Sequence, residues 1–132
     1  MKLDSSISHG SSYIQHFFET VCCEKSSAER VLGQLYSDGP KCASCGAPIT
    51  GRRALITFWN GERTYCACCG CKFSPRANTI LAESHLTFSQ FETICVLLAL
   101  GVDHKRISAM SGAHTDTVAV WNSKIKFWES HV

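Results

Sequence analysis

The sequence predicts an α+β fold that is mostly helical, with a small cysteine-rich module between an N-terminal helical hairpin and a C-terminal helical bundle. Three observations predict it. Two near-identical runs, Cys42-Ala43-Ser44-Cys45-Gly46 and Cys66-Ala67-Cys68-Cys69-Gly70, stand in the middle of the chain. Apolar residues recur at three-to-four spacing on either side of them, the period of a helix with one buried face. Positive charge is concentrated in the same middle segment, where Lys41, Arg52, Arg53, Arg63, Lys72 and Arg76 face Glu62 alone.

The elements follow in order. Residues 1–12 are polar and Ser-rich. Tyr13, Ile14, Phe17, Phe18 and Val21 then predict a first helix. A second is expected from about Ser27 to Tyr36, with Ser26 and Glu29 at capping-box spacing and Val31, Leu32 and Leu35 as its apolar side. Ser37-Asp38-Gly39-Pro40 ends it. This hairpin either packs on the rest of the chain or offers a homodimer or partner surface. Next, Ala54-Leu55-Ile56-Thr57-Phe58-Trp59 reads as a strand. Asn60-Gly61 reads as a hairpin turn, with Glu62 to Tyr65 returning.

From Thr87 the pattern is helical again. Ser89 and Glu92 have capping-box spacing, Phe91, Ile94, Cys95, Leu97 and Leu98 form an apolar face, and Gly101 suits the helix end. Asp103 caps a short helix from His104 to about Met110, and Ser111-Gly112-Ala113 turns the chain. A last helix runs from about Thr115 to Trp128, with Val118, Trp121, Ile125 and Trp128 on one side. The expected domains are a helical extension at 1–40, the cysteine module at 41–82 and the helical bundle at 83–132.

Cysteine usage points to metal. Nine cysteines are an odd number, which argues against a closed disulfide framework. The first ten residues lack the features of a secretory signal, so a cytoplasmic location with reduced thiols is expected. No apolar run reaches membrane-spanning length. Two residues between cysteines let both sulfurs turn onto one ion, and the Gly that follows tolerates a positive φ. Cys42, Cys45, Cys66 and Cys69 are therefore the expected ligands of a structural Zn2+ site, a zinc ribbon. Cys68 and Cys71 share the spacing and remain alternatives. Only the Cys66/Cys69 register places Gly after the second ligand, as at Cys45-Gly46.

The C-terminal segment has the layout of a helix-turn-helix. Ile107 and Met110 bury one helix, Gly112 turns, Ala113 packs in the turn, and Val118 and Trp121 bury the next. His114, Thr115, Asp116 and Thr117 would then face base edges of duplex DNA. Lys105, Arg106 and Lys124 would reach phosphates, and Arg52, Arg53, Arg63, Lys72 and Arg76 would grip the backbone from the cysteine module. Trp59 and Tyr65 beside Arg52, Arg53 and Arg63 have two readings, core packing or a stacking surface for single strands.

The run Tyr65-Cys66-Ala67-Cys68-Cys69-Gly70-Cys71-Lys72-Phe73-Ser74, then Asn78-Thr79-Ile80-Leu81 and Ser84-His85-Leu86, resembles the zinc-ribbon and helix-turn-helix front end of insertion-sequence transposases. The likeness covers about two-thirds of the chain, from Cys42 to Ile125. It implies DNA binding without the catalytic domain, and a transcription regulator of a phage or other mobile element. The alternative is a zinc-ribbon adaptor or inhibitor docking on a host protein such as transcription machinery. Cys71, Cys95, His85 and His104 show no nucleophile spacing, so no catalytic residue and no enzyme activity are expected.

Overall fold

The structure, a computed structural model, describes Ser12, His16 and residues 23–130, without the side chains of 128–130. Apart from His16, which is helical, the expected first helix lies outside the described residues. The described chain is mostly helical, with a single two-stranded sheet. Its elements are α1 (Glu24–Leu35), α2 (Arg52–Trp59), β1 (Thr64–Tyr65), β2 (Lys72–Phe73), α3 (Phe88–Ala99), α4 (His104–Ser111) and α5 (Thr115–Ser130). No described helix is long and apolar enough to cross a membrane. The contacts divide the chain into two compact units, Glu24–Leu86 and, for the other, Met1–Cys23 with Thr87–Val132.

In the unit of residues 24–86, α1 begins earlier than Ser26 would have it. Ser26 lies inside the helix rather than ahead of it. Ser27, Ala28, Val31 and Leu32 form its buried stripe. Tyr36, just past its end, donates its hydroxyl to the Pro75 carbonyl at 2.7 Å and meets the Phe58 ring edge-on at 4.9 Å.

The expected strand over residues 54–59 is instead helix α2, and this corrects the hairpin reading. The run is apolar at every position but Thr57, so it carries no clear alternation to separate strand from helix. Tertiary packing decides. Phe58 is wholly buried, with Leu55 and Trp59 beside it at helical spacing, while Ile56 turns outward. Gly51 at φ 96 allows the sharp entry into the helix. Asn60 is the C-cap of α2 and not part of a hairpin turn. The returning segment does form a strand, but it pairs with β2, as Thr64↔Phe73 and Tyr65↔Lys72. Thr64 is also tied to α2. Its hydroxyl donates to the Ala54 carbonyl at 2.9 Å and lies 2.9 Å from the Thr57 hydroxyl.

Residues 74–84 follow β2 as a chain of tight turns, with Ala77, Thr79, Ala82 and Ser84 each donating three residues back. Asn78 takes φ 62, a conformation Asn tolerates, and its amide donates to the Ala43 carbonyl at 2.8 Å.

In the other unit, α3 starts at Thr87, two residues before the expected Ser89. Both positions have capping-box spacing. The Thr87 register brings Phe88 into the helix, where it is buried with Phe91, Ile94 and Leu97. Thr87 accepts from the Gln90 backbone N–H at 3.0 Å, and Gln90 returns the bond to the Thr87 N–H at 3.0 Å. Helix α3 ends in a Schellman motif. Gly101 at φ 77 donates to Leu98, and Val102 donates to Leu97. Asp103 caps α4 by accepting from the Arg106 N–H at 2.9 Å. Phe91 and Trp121 meet edge-on at 5.2 Å, joining α3 to α5.

Candidate metal centre

The two cysteine runs fold into the same loop twice. The Cys42 N–H donates to the Ala47 carbonyl, and the Cys66 N–H to the Cys71 carbonyl. Gly46 donates to the Cys42 carbonyl, and Gly70 to the Cys66 carbonyl. Both glycines are left-handed, at φ 74 and φ 76, where a side chain would strain the turn. Lys41 and Pro48 bridge across the base of the first loop as Tyr65 and Lys72 pair across the second. In this correspondence Cys68 matches Ser44 and Cys71 matches Ala47. Both Cys68 and Cys71 are exposed, and neither belongs to the sulfur cluster.

Cys42, Cys45, Cys66 and Cys69 come together, with all four sulfurs within 4.8 Å of one another. Cys42 and Cys69 Sγ are 3.6 Å apart, and Cys45 and Cys66 Sγ 3.7 Å. Four sulfurs arranged tetrahedrally at about 2.3 Å from one ion stand roughly 3.8 Å from each other. The geometry can therefore hold a metal ion with little movement. Cys42 and Cys66 are buried and belong to the core of this unit, with Ile49, Phe58 and Phe73. Cys45 and Cys69 face solvent, so the site lies at the edge of that core.

The electrostatics of four crowded thiols also favour a cation. The Cys45 backbone N–H aims at Cys42 Sγ from 3.5 Å, and the Ser44 N–H from 3.3 Å. These bonds, the Cys45 one first, outweigh burial and hold the Cys42 thiol down at about 6. Cys45 behaves oppositely. The Ala47 N–H lowers it, but burial and the neighbouring sulfurs of Cys66, Cys42 and Cys69 carry it up to about 12. One negative charge suppresses the next. A bound cation removes that conflict and lets all four sulfurs ionise.

The basic residues expected to grip phosphates from this unit fall into three groups. Arg53, Arg63 and Lys72 share one groove beside Tyr65, Ala54, Thr57 and Thr64, with a volume of about 710 Å3. Arg52 is exposed on the first turn of α2. Arg76 is half-buried and reaches the Ser84 carbonyl at 3.5 Å, and burial lowers its pKa. It is the least open of the basic side chains in this unit.

In the other unit, Ile107 and Val118 are fully buried, Ala113 and Trp121 nearly so, and Met110 is half-buried. Gly112 closes α4 at φ 78. Gln90 donates to the Ser111 carbonyl at 3.3 Å, tying the start of α3 to the end of α4. His114, Thr115 and Asp116 are exposed at the start of α5, while Thr117 is half-buried. His114 Nδ1 accepts from the Asp116 N–H at 3.1 Å and so caps α5, a role sequence reasoning did not assign it. Lys105 and Arg106 are exposed on α4, the latter 3.8 Å from the Asp103 carboxylate. Lys124 is exposed but lies over the Trp121 ring, 5.0 Å from its centre. His85 is exposed.

No family model matches this chain, and neither the curated proteins nor the solved structures gave a match.

Proposed function

We propose that the chain is a zinc-stabilised protein that binds duplex DNA and acts as a transcription regulator. One observation carries the reading. Helices α4 and α5 are joined through left-handed Gly112, their facing sides are buried through Ile107, Ala113, Val118 and Trp121, and the first turn of α5 stays open. Such packing supports a helix-turn-helix that would present its second helix to a major groove. His114, Thr115, Asp116 and Thr117 are the residues in position to reach base edges. Lys105, Arg106 and Lys124 supply phosphate contacts beside them. Arg52, Arg53, Arg63 and Lys72 give the metal unit its own phosphate-binding capacity, with Arg76 contributing least.

Zinc is the metal that suits the donor set. Four thiolates at tetrahedral spacing select zinc or an iron–sulfur cluster over hard cations such as magnesium. With every position filled by sulfur, the ion would support structure rather than chemistry. Residues 24–86 have a core of few large side chains, and the ion would link its two loops directly.

The test is fluorescence anisotropy of the zinc-loaded protein with a random duplex pool across a salt series. Binding that weakens steeply with salt supports the reading, since neutralised phosphates release counterions. Absence of binding at low salt overturns it. A second reading, an adaptor docking on another protein, is favoured by the exposed apolar side chains on α5, Val120 at 51% and Phe127 at 66% exposure. A protein partner bound tightly, with no salt-sensitive DNA affinity, would select it.

A further inference from the structure

We infer that the groove between α2 and the β1–β2 ribbon is a binding site for single-stranded nucleic acid, with an unpaired base stacked on Tyr65 and its phosphates held by Arg53, Arg63 and Lys72. This site draws on three of the cations that the duplex reading also uses, but Tyr65 belongs to it alone, and it stands whether or not duplex binds.

The argument starts from the strand. Thr64 is buried and Tyr65 points the other way, as alternation along a strand requires. Lys72 is the direct cross-strand partner of Tyr65, so both side chains rise from the same face. Arg63 precedes Tyr65 by two and also lines this side, and Arg53 reaches it from the first turn of α2. Three basic residues thus line the same groove as Tyr65, and no carboxylate does.

Tyr65 has no place in the core. It is 50% exposed, whereas Trp59, the other aromatic candidate, packs edge-on against Phe58 at 5.1 Å. The structure therefore separates two aromatics that sequence treats alike. Trp59 completes the core, and Tyr65 is left with an open ring. A Cβ placed on Gly70 would lie 3.9 Å from the Tyr65 hydroxyl. The tip of the ring is thus set beside the second cysteine loop, and its orientation depends on that loop being folded.

An exposed ring flanked by guanidinium and ammonium groups matches a base on its sugar-phosphate chain. The ring takes the π-face of any base, and the cations take the phosphates on either side. A base paired within a duplex has no free face to offer. The volume of about 710 Å3 lies in the range of about 300–1,000 Å3 that accommodates small ligands.

The experiment is anisotropy of the full-length, zinc-loaded protein with labelled oligo(dT) and with a random duplex of equal length. Tyr65→Ala should weaken oligo(dT) binding by about 5- to 150-fold, the effect of losing one base stack, and leave duplex affinity within about twofold. Tyr65→Phe should bind as the wild type does. Tyr65→Leu keeps the apolar bulk beside Gly70 but lacks the π-face, so it should behave like Tyr65→Ala while keeping its metal and its circular dichroism. Arg63→Gln should reduce the salt slope for oligo(dT) by about 0.7. Unchanged oligo(dT) affinity in a folded Tyr65→Leu protein overturns the inference. So does an equal loss for both DNA forms, or no oligo(dT) binding by the wild type. A protein that loses only duplex binding on substitution of Arg106 and Thr115 leaves this site standing, and one that binds oligo(dT) alone removes the duplex reading instead.

Discussion

The two units of this chain reach a folded state by different routes. In residues 87–130, burial follows helical periodicity. Phe88, Phe91, Ile94, Leu97, Ile107, Val118 and Trp121 come from three helices and close on one another, and the starts of all three helices and the ends of α3 and α4 are marked by a Thr, Asp, His or Gly with its own hydrogen bond. In residues 24–86, much of the chain is loop. Two of the five residues at the heart of its core cluster are cysteines, Cys42 and Cys66, whose sulfurs face two more. The first unit has a core that local sequence builds. The second brings four sulfurs from two distant loops to the edge of its core, where they could hold one ion. On the function proposed above, a metal crosslink would offset part of the conformational entropy that long polar loops cost.

The largest expected effect separates the two units directly. Replacing Cys69 with Ser, or removing metal with a chelator, should unfold residues 24–86 and leave the helices of 87–130 in place. Metal analysis and circular dichroism read the two losses separately. Full metal content with a wild-type melting curve in Cys69→Ser would show that another cysteine, Cys68 or Cys71, completes the site. Acid acts in the same direction, because protons compete for the sulfurs. Metal content should therefore fall as pH is lowered, and the fold of residues 24–86 should be lost with it.

Truncating one aromatic in each unit sharpens the comparison. Trp121→Ala should destabilise the helical unit by about 3–5 kcal/mol, as large-to-small core changes do, with metal content unchanged. Phe58→Ala should cost a similar amount in the metal unit, yet the bound ion should keep it folded at ambient temperature. Chemical denaturation with and without chelator distinguishes these outcomes, and equal sensitivity to chelator in both variants would break the division.

Smaller effects belong to turns and caps. Gly112→Ala places an alanine at φ 78, where the penalty is about 1–2 kcal/mol. Its Cβ would meet Gln90 Nε2 at 3.7 Å, an ordinary contact, so the cost is conformational rather than steric. Thr87→Ala removes one half of the α3 capping box and should cost about 1 kcal/mol. Ser89→Ala should cost less, since Ser89 lies within α3 and does not cap it. Thermal melts of the three variants test the order.

The register of the metal site was readable because glycine marks it. A left-handed residue is needed after the second ligand of each loop, and Gly46 and Gly70 stand there, which leaves Cys68 and Cys71 out of the group. The helix boundaries at Asp103, Gly101 and Gly112 were readable for the same kind of reason, since capping and left-handed φ act through one or two neighbouring residues. Where two local signals compete, as at Thr87 and Ser89, the burial of Phe88 selects one, and that depends on what α3 packs against.

What this sequence determines alone is whatever short-range chemistry enforces: the two cysteine loops, the caps, the turns and the apolar stripes of α3 to α5. What only the tertiary structure decides is the state of segments whose local preferences are balanced. Residues 54–59 are apolar at nearly every position and suit strand or helix equally, until Phe58 must fill the space between Tyr36 and Phe73. Likewise Trp59 and Tyr65 are similar as isolated residues. Trp59 packs against the core because it lies on α2 beside Phe58, whose ring is fixed by Tyr36 and Phe73 from outside that segment, whereas the short β1–β2 pairing leaves Tyr65 exposed.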